Sequence, residues 1–160
     1  MFVVDTNVLV YAADTSSLLH ERCSSDLATW RRRREPWFVT WGICYEFLRV
    51  TTHRRVLRRP WDPPGAMSFI DALLASPGLS VLAETDRHAD IARTVFRENP
   101  ALSGNLVHDT HTAILMREHG ISQLPVIEED ESLGSVSENR LMARVLAETA
   151  LMDKPVEGVM

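Results

Sequence analysis

Phe2-Val3-Val4-Asp5-Thr6-Asn7-Val8-Leu9 stands at the start of the chain and reads in two steps. Phe2-Val3-Val4 is a short apolar run of the kind that forms a buried strand. Asp5 ends it, and a helical start runs from Asn7 to Tyr11. A carboxylate leaving a central strand lies at the carboxyl edge of the sheet, where open α/β folds take ligands. Two more isolated acids open apolar helical stretches. Glu46 lies in Ile43-Cys44-Tyr45-Glu46-Phe47-Leu48, and Asp109 in Asn105-Leu106-Val107-His108-Asp109-Thr110. Three such acids brought together repel one another unless a cation sits between them. The pattern points to a divalent metal.

Working outward, strands alternate with helices. A helix is expected from Leu18 to Arg34, with Leu19, Leu27 and Trp30 inward and Pro36 beyond its end. Trp37-Phe38-Val39 reads as a strand, and Trp41 to Thr52 as a helix with Ile43, Phe47 and Val50 on its buried stripe. The Pro-rich stretch Arg58 to Gly65 reads as a loop, Ala66 to Ala75 as a helix, and Leu79 to Leu82 as a strand. Thr85 or Asp86 is the expected cap of a helix from Arg87 to Glu98, with Ala89, Ala92, Val95 and Phe96 inward. Asn105 to His119 is the next helix, with Gly120 just past its end. Ile121 to Ile127 reads as a strand that Pro125 confines to an edge, and Val136 to Met152 as a helix. This alternation predicts an α/β fold, three layers (α/β/α) around a mainly parallel central sheet. Right-handed crossovers place every strand's carboxyl end on one edge. Asp5 lies there, and Glu46 and Asp109 lie on helices whose first turns face it.

The bulk numbers fit one domain. The 160 residues are 45% hydrophobic with a mean hydropathy of -0.09. No apolar stretch approaches the roughly 20 residues that span a bilayer, and no basic-then-apolar leader is visible. The cytoplasm is the expected location, with no membrane partner. Cys23 and Cys44 have no zinc-type spacing and read as reduced thiols. The net charge of -5 hides an asymmetry: residues 1–60 carry ten Arg against six acids, and residues 61–160 carry seven Lys or Arg against sixteen. An acidic balance argues against non-specific coating of nucleic acid, though not against a local basic surface.

Hard cations such as Mg²⁺ or Mn²⁺ prefer oxygen ligands, take one or two carboxylates and share substrate phosphate. Such a site can activate water and orient a phosphodiester. There is no P-loop, GxGxxG, GxSxG or HExxH motif. His108 and His111 flank Asp109 without a third zinc ligand nearby in sequence, and read as local hydrogen-bonding groups.

Taken together, Val3-Val4-Asp5-Thr6-Asn7-Val8-Leu9, the Glu46 helix and Gly104-Asn105-Leu106-Val107-His108-Asp109-Thr110-His111 resemble a PIN-domain ribonuclease, specifically the VapC-type toxin of a type II toxin–antitoxin pair. The resemblance covers residues 1–123. It implies cleavage of RNA, often tRNA or ribosomal RNA, with Mg²⁺ or Mn²⁺. It also implies inhibition by a cognate antitoxin protein and a tendency to form homodimers. By position, Asp5, Glu46 and Asp109 match the family's catalytic, metal-holding acids, and Thr6 or Asn7 its polar support of the first. The departure is C-terminal. The family's T-x-D-x-D-F segment carries a fourth acid where this chain has Val126-Ile127-Glu128-Glu129-Asp130-Glu131-Ser132. Glu128 or Asp130 stands where that acid falls. The nuclease domain is therefore read as residues 1–127, with 128–160 an atypical acidic loop and helical tail.

Plainer readings stay open for single residues. Asp5 suits the cap of a turn, Glu46 a solvated helix face, and Asp109 a favourable first-turn acid. Arg31 to Arg34 reads as a solvated helix end. The segment His53 to Arg59 with Trp61 offers Arg54, Arg55, Arg58 and Arg59 as phosphate contacts and an aromatic for stacking. The helices around Leu18 to Trp30 and Met67 to Leu74 suit either an antitoxin groove or the core. The rival to a metal-dependent ribonuclease is a PIN-like module that binds an antitoxin or RNA without cutting. A phosphatase or DNA nuclease using the same acids is a third reading.

Overall fold

A computed structural model describes residues 1–100, 102–104, 106–127 and 133–137. The elements run α1 (Thr6–Ala13), α2 (His20–Arg32), β1 (Trp37–Thr40), α3 (Trp41–Thr51), α4 (Pro63–Leu74), β2 (Leu79–Leu82), α5 (His88–Glu98), α6 (Leu106–Glu118), β3 (Gln123–Ile127) and β4 (Leu133–Ser137). The class is α/β, as the alternation predicts.

β1 and β2 pair in parallel with Thr40 opposite Leu82. Residues 2–4 lie along β1, where Val3 bridges Phe38 in parallel. The Val4 N–H donates to the Phe38 carbonyl at 2.8 Å, and the Phe38 N–H to the Phe2 carbonyl at 2.9 Å. On the other side the Val3 N–H donates to the Gln123 carbonyl of β3 at 3.1 Å. This short central segment therefore joins the parallel pair to an antiparallel one, β3 with β4. With Val3 level with Phe38, Asp5 stands level with Thr40 and hence with Leu82. The carboxyl ends of three extended segments meet at one edge.

The core is built on Val3, Val4, Val8, Leu9, Trp37, Val39 and Phe47, each at 1% exposure or less. Phe47 stacks on Phe69 at 4.8 Å and meets Trp61 edge-on at 6.1 Å, which ties α3 to α4 and the loop before it. A smaller cluster of Val95, Ala113 and Ile114 joins α5 to α6. Cys23 and Cys44 are free and buried, and burial raises both thiol pKa values. Among the described residues no helix is long and apolar enough to cross a membrane.

Several boundaries differ from the sequence reading. α4 starts at Pro63, inside the expected loop. Asp62 caps it by accepting the Gly65 N–H at 2.7 Å. Proline suits the first helical turn because the N–H it lacks would have no partner there. Neither Thr85 nor Asp86 caps α5; the Ncap position is Arg87, without a side-chain bond. Ala89 and Phe96 are exposed, while Val95 is buried as expected. Val136 and Ser137, expected in a helix, belong to β4, which pairs with β3 in a two-stranded antiparallel sheet. The rest of the expected C-terminal helix lies outside the described residues.

Candidate metal and active site

Asp5 is placed by chain direction. It follows the central extended segment and caps α1, where the Thr6 N–H donates to its Oδ1 at 2.9 Å. The cap reading of Asp5 is therefore met. A carboxylate that only caps a helix is held below its usual pKa, because N–H donors favour the charged form. Asp5 goes the other way. Partial burial, and then the nearby charges of Asp109 and Glu46, outweigh the Thr6 and Asn7 N–H groups and raise its carboxyl to about 6.

Glu46 comes from α3. Thr40, at the end of β1, starts that helix by accepting the Ile43 N–H on its hydroxyl at 3.1 Å. Glu46 then lies on the second turn. The buried Thr6 hydroxyl donates to Glu46 Oε2 at 3.2 Å, and Arg49 reaches Oε1 at 3.3 Å. Asp109 lies exposed in the first turn of α6, near enough to Asp5 to raise its pKa. Asn7 is exposed, so Thr6 is the supporting side chain of the pair. Asp109 and Glu46, each more than 40 residues from Asp5 in sequence, thus both act electrostatically on it at the carboxyl edge, although the three acids do not stand at metal-ligand spacing among the described residues. Like charges gathered on a half-buried carboxylate are the donor chemistry of a hard divalent cation. Glu128 and Asp130 lie outside the described residues.

The same edge holds a group the sequence reading did not assemble. Glu84 lies two residues past the end of β2, His88 opens α5 and His111 sits on α6. Their ligand atoms lie within 4.8 Å of one another, the one such set of three among the described residues. His111 therefore does find partners beyond its own helix. This set does not include His108, and the partners of His111 come from distant positions (Glu84 is 27 residues away), which no local spacing reveals.

Arg54, Arg55, Arg58 and Arg59 are all exposed. Arg58 and Arg59 line a cleft of about 530 Å³ with Asp14, Ser16 and Trp61, and Arg54 lines one of about 500 Å³ on the other side of Pro60 and Trp61. Trp61 itself is half-buried, packs edge-to-face with Phe47 and Phe69, and lines both clefts. More exposed aromatics stand elsewhere: Trp41 and Tyr45, 43% and 65% exposed with rings 5.8 Å apart, occupy the first turns of α3 beside Glu46.

The sequence profile of the PIN domain matches residues 2–139. The chain belongs to the PIN-domain family. Ribonuclease VapC43 of Mycobacterium tuberculosis is 33% identical to this PIN-domain chain over 132 residues, covering 78% of the chain and 84% of the relative. Ribonuclease VapC48 of the same organism is 28% identical over 120 residues, covering 75% and 82%. Two solved structures share the fold at 14% identity. One is VapC20 of M. tuberculosis, described as a sarcin–ricin loop cleaving toxin (TM-score 0.55, 81% of this chain and 92% of that one). The other is VapBC2 of Rickettsia felis bound to a DNA fragment of its promoter (TM-score 0.53, 81% and 89%).

Proposed function

We propose that this PIN-domain protein is the toxin of a type II toxin–antitoxin pair and hydrolyses RNA phosphodiester bonds with Mg²⁺ or Mn²⁺. The observation that carries the reading is the Thr6 contact that holds Asp5 and Glu46 at the sheet edge, in a chain similar to VapC ribonucleases. Asp5, Glu46 and Asp109 would hold the ion, with Glu128 or Asp130 as a fourth acid. When bound, the ion supplies charge neutralisation at the phosphate and an acidified water. The chain's own residues do the rest. Thr6 fixes the Glu46 carboxylate through its hydroxyl and Asp5 through its backbone N–H.

RNA is the substrate, of the tRNA or ribosomal class, bound in part by Arg54, Arg55, Arg58 and Arg59. The 2′-OH distinguishes it from DNA. A cognate antitoxin protein blocks the site, a homodimer is the working state, and RNA substrates place the work in the cytoplasm. The test is a panel of structured RNA, single-stranded RNA and single-stranded DNA incubated with the full chain in Mg²⁺. Cleavage confined to RNA and abolished by EDTA supports the reading. Cleavage of DNA alone, or none of any substrate, defeats it.

A further inference from the structure

His88, His111 and Glu84 form a second constellation at the sheet edge, distinct in chemistry from the carboxylates around Asp5. The two imidazole rings stand 5.6 Å apart, nearly perpendicular. His111 Nε2 lies 3.1 Å from Glu84 Oε1. A Cβ added at Gly42 would lie 3.7 Å from His111 Nδ1, so the ring rests against the first turn of α3.

A buried carboxylate stands behind this set. The Glu118 side chain is fully buried, and its Oε2 lies 2.9 Å from His88 Nδ1. Its Oε1 accepts the Thr85 N–H at 2.5 Å and also the Thr85 hydroxyl. In the tautomer that donates from Nδ1 to this carboxylate, Nε2 is the ligand nitrogen. Nε2 is then left with its lone pair. A carboxylate that orients the far nitrogen of an imidazole is the usual outer support of a metal-bound histidine. The Arg87 side chain, donating to the Glu118 carbonyl at 2.9 Å, fixes the same corner.

We propose that Glu84, His88 and His111 bind a zinc-class ion, with Glu118 orienting His88. Two imidazoles and one carboxylate suit Zn²⁺ and its neighbours rather than Mg²⁺. Ligand atoms about 2.0–2.2 Å from a tetrahedral ion stand about 3.3–3.6 Å apart. The ligand atoms of this set lie within 4.8 Å of one another, so they must close by up to about 1.5 Å around an ion, a movement open to the exposed Glu84 on its loop. Three protein ligands leave a position for water or another ligand. The ion would tie the end of β2 to α5 and α6 beside the acids, whatever reaction those acids perform.

The test is zinc titration of the metal-free full chain by calorimetry, in excess Mg²⁺ to saturate the hard-cation site. Wild type is expected to take up one Zn²⁺ per chain. His111→Ala and Glu84→Gln both change exposed or half-exposed side chains, and each is expected to weaken uptake at least tenfold with an unchanged circular dichroism spectrum. Asp5→Asn is expected to bind Zn²⁺ as wild type does, whether or not it cleaves RNA. Absence of stoichiometric uptake by wild type, undiminished uptake by His111→Ala and Glu84→Gln, or loss in Asp5→Asn overturns the proposal.

Discussion

The Thr6 hydroxyl donates to Glu46 Oε2 across 3.2 Å and 40 residues of sequence. Thr6 is buried at 5% exposure, and its own N–H holds Asp5. One residue therefore fixes two of the three acids, one through its backbone and one through its side chain.

Thr6→Val keeps the shape and the backbone bond to Asp5 but removes the donor to Glu46. A supporting hydrogen bond of this kind is worth about 10–100-fold in metal affinity or activity. RNA cleavage should fall by that order while the melting temperature changes little, and Thr6→Ser should recover most of the rate. A Thr6→Val protein as active as wild type would remove Thr6 from the site.

The Asp5 carboxyl makes stability depend on pH. Its pKa is about 6 in the folded chain against 3.8 for a free aspartate carboxyl. Between those values the native state binds more protons than the unfolded state, so stability falls as pH rises. Asn caps a helix about as well as Asp. Without metal at pH 7, Asp5→Asn should therefore be more stable than wild type, by about 1 kcal/mol after discounting for the partial exposure of the group. The gain should vanish below about pH 4, where Asp is protonated in both states. Urea unfolding in EDTA at the two pH values checks the sign; a variant less stable than wild type at pH 7 contradicts it.

Much of this site is legible in the sequence because each acid closes or opens an apolar run, and chain direction alone carries such positions to the sheet edge. The parallel pairing of Trp37–Thr40 with Leu79–Leu82 is legible for the same reason. What was hidden depends on contacts between distant segments. Thr85 stands two residues before the Ncap position of α5, and its hydroxyl and N–H both donate to Glu118, 33 residues on. Phe96 fits a helical stripe yet remains exposed, since the smaller cluster it would join is filled by Val95, Ala113 and Ile114. Leu133–Ser137 carries a glycine and two serines and lacks a strand-like run, so its pairing with β3 has no local signature.

Arg58 and Arg59 are exposed at the mouth of a cleft and hold no described ion pair of their own. Replacing both with Ala should weaken RNA binding without loss of stability. If each neutralises one phosphate, the slope of log affinity against log salt should drop by about 0.7 per arginine. An unchanged slope in a filter-binding titration would move the RNA path off this segment.

Phe47 carries the packing under the site. It is fully buried between Phe69 and Trp61, and it adjoins Glu46 in α3. Phe47→Ala should cost about 3–5 kcal/mol by the cavity it leaves. The urea midpoint should fall accordingly, and activity should be lost only where the protein unfolds. A loss below about 1 kcal/mol would mean that the α3–α4 contact is not as tight as described.

The most direct measurement is the rate of RNA cleavage by purified Asp5→Asn against wild type in Mg²⁺, with circular dichroism to establish that both are folded. Loss of a metal-holding carboxylate should lower the rate by about a hundredfold or more, since ion-supplied charge stabilisation is worth several kcal/mol. Wild-type activity should also disappear in EDTA and return with Mg²⁺ or Mn²⁺. A folded Asp5→Asn protein that cuts RNA at the wild-type rate would contradict the assignment of Asp5, and with it the three-acid site.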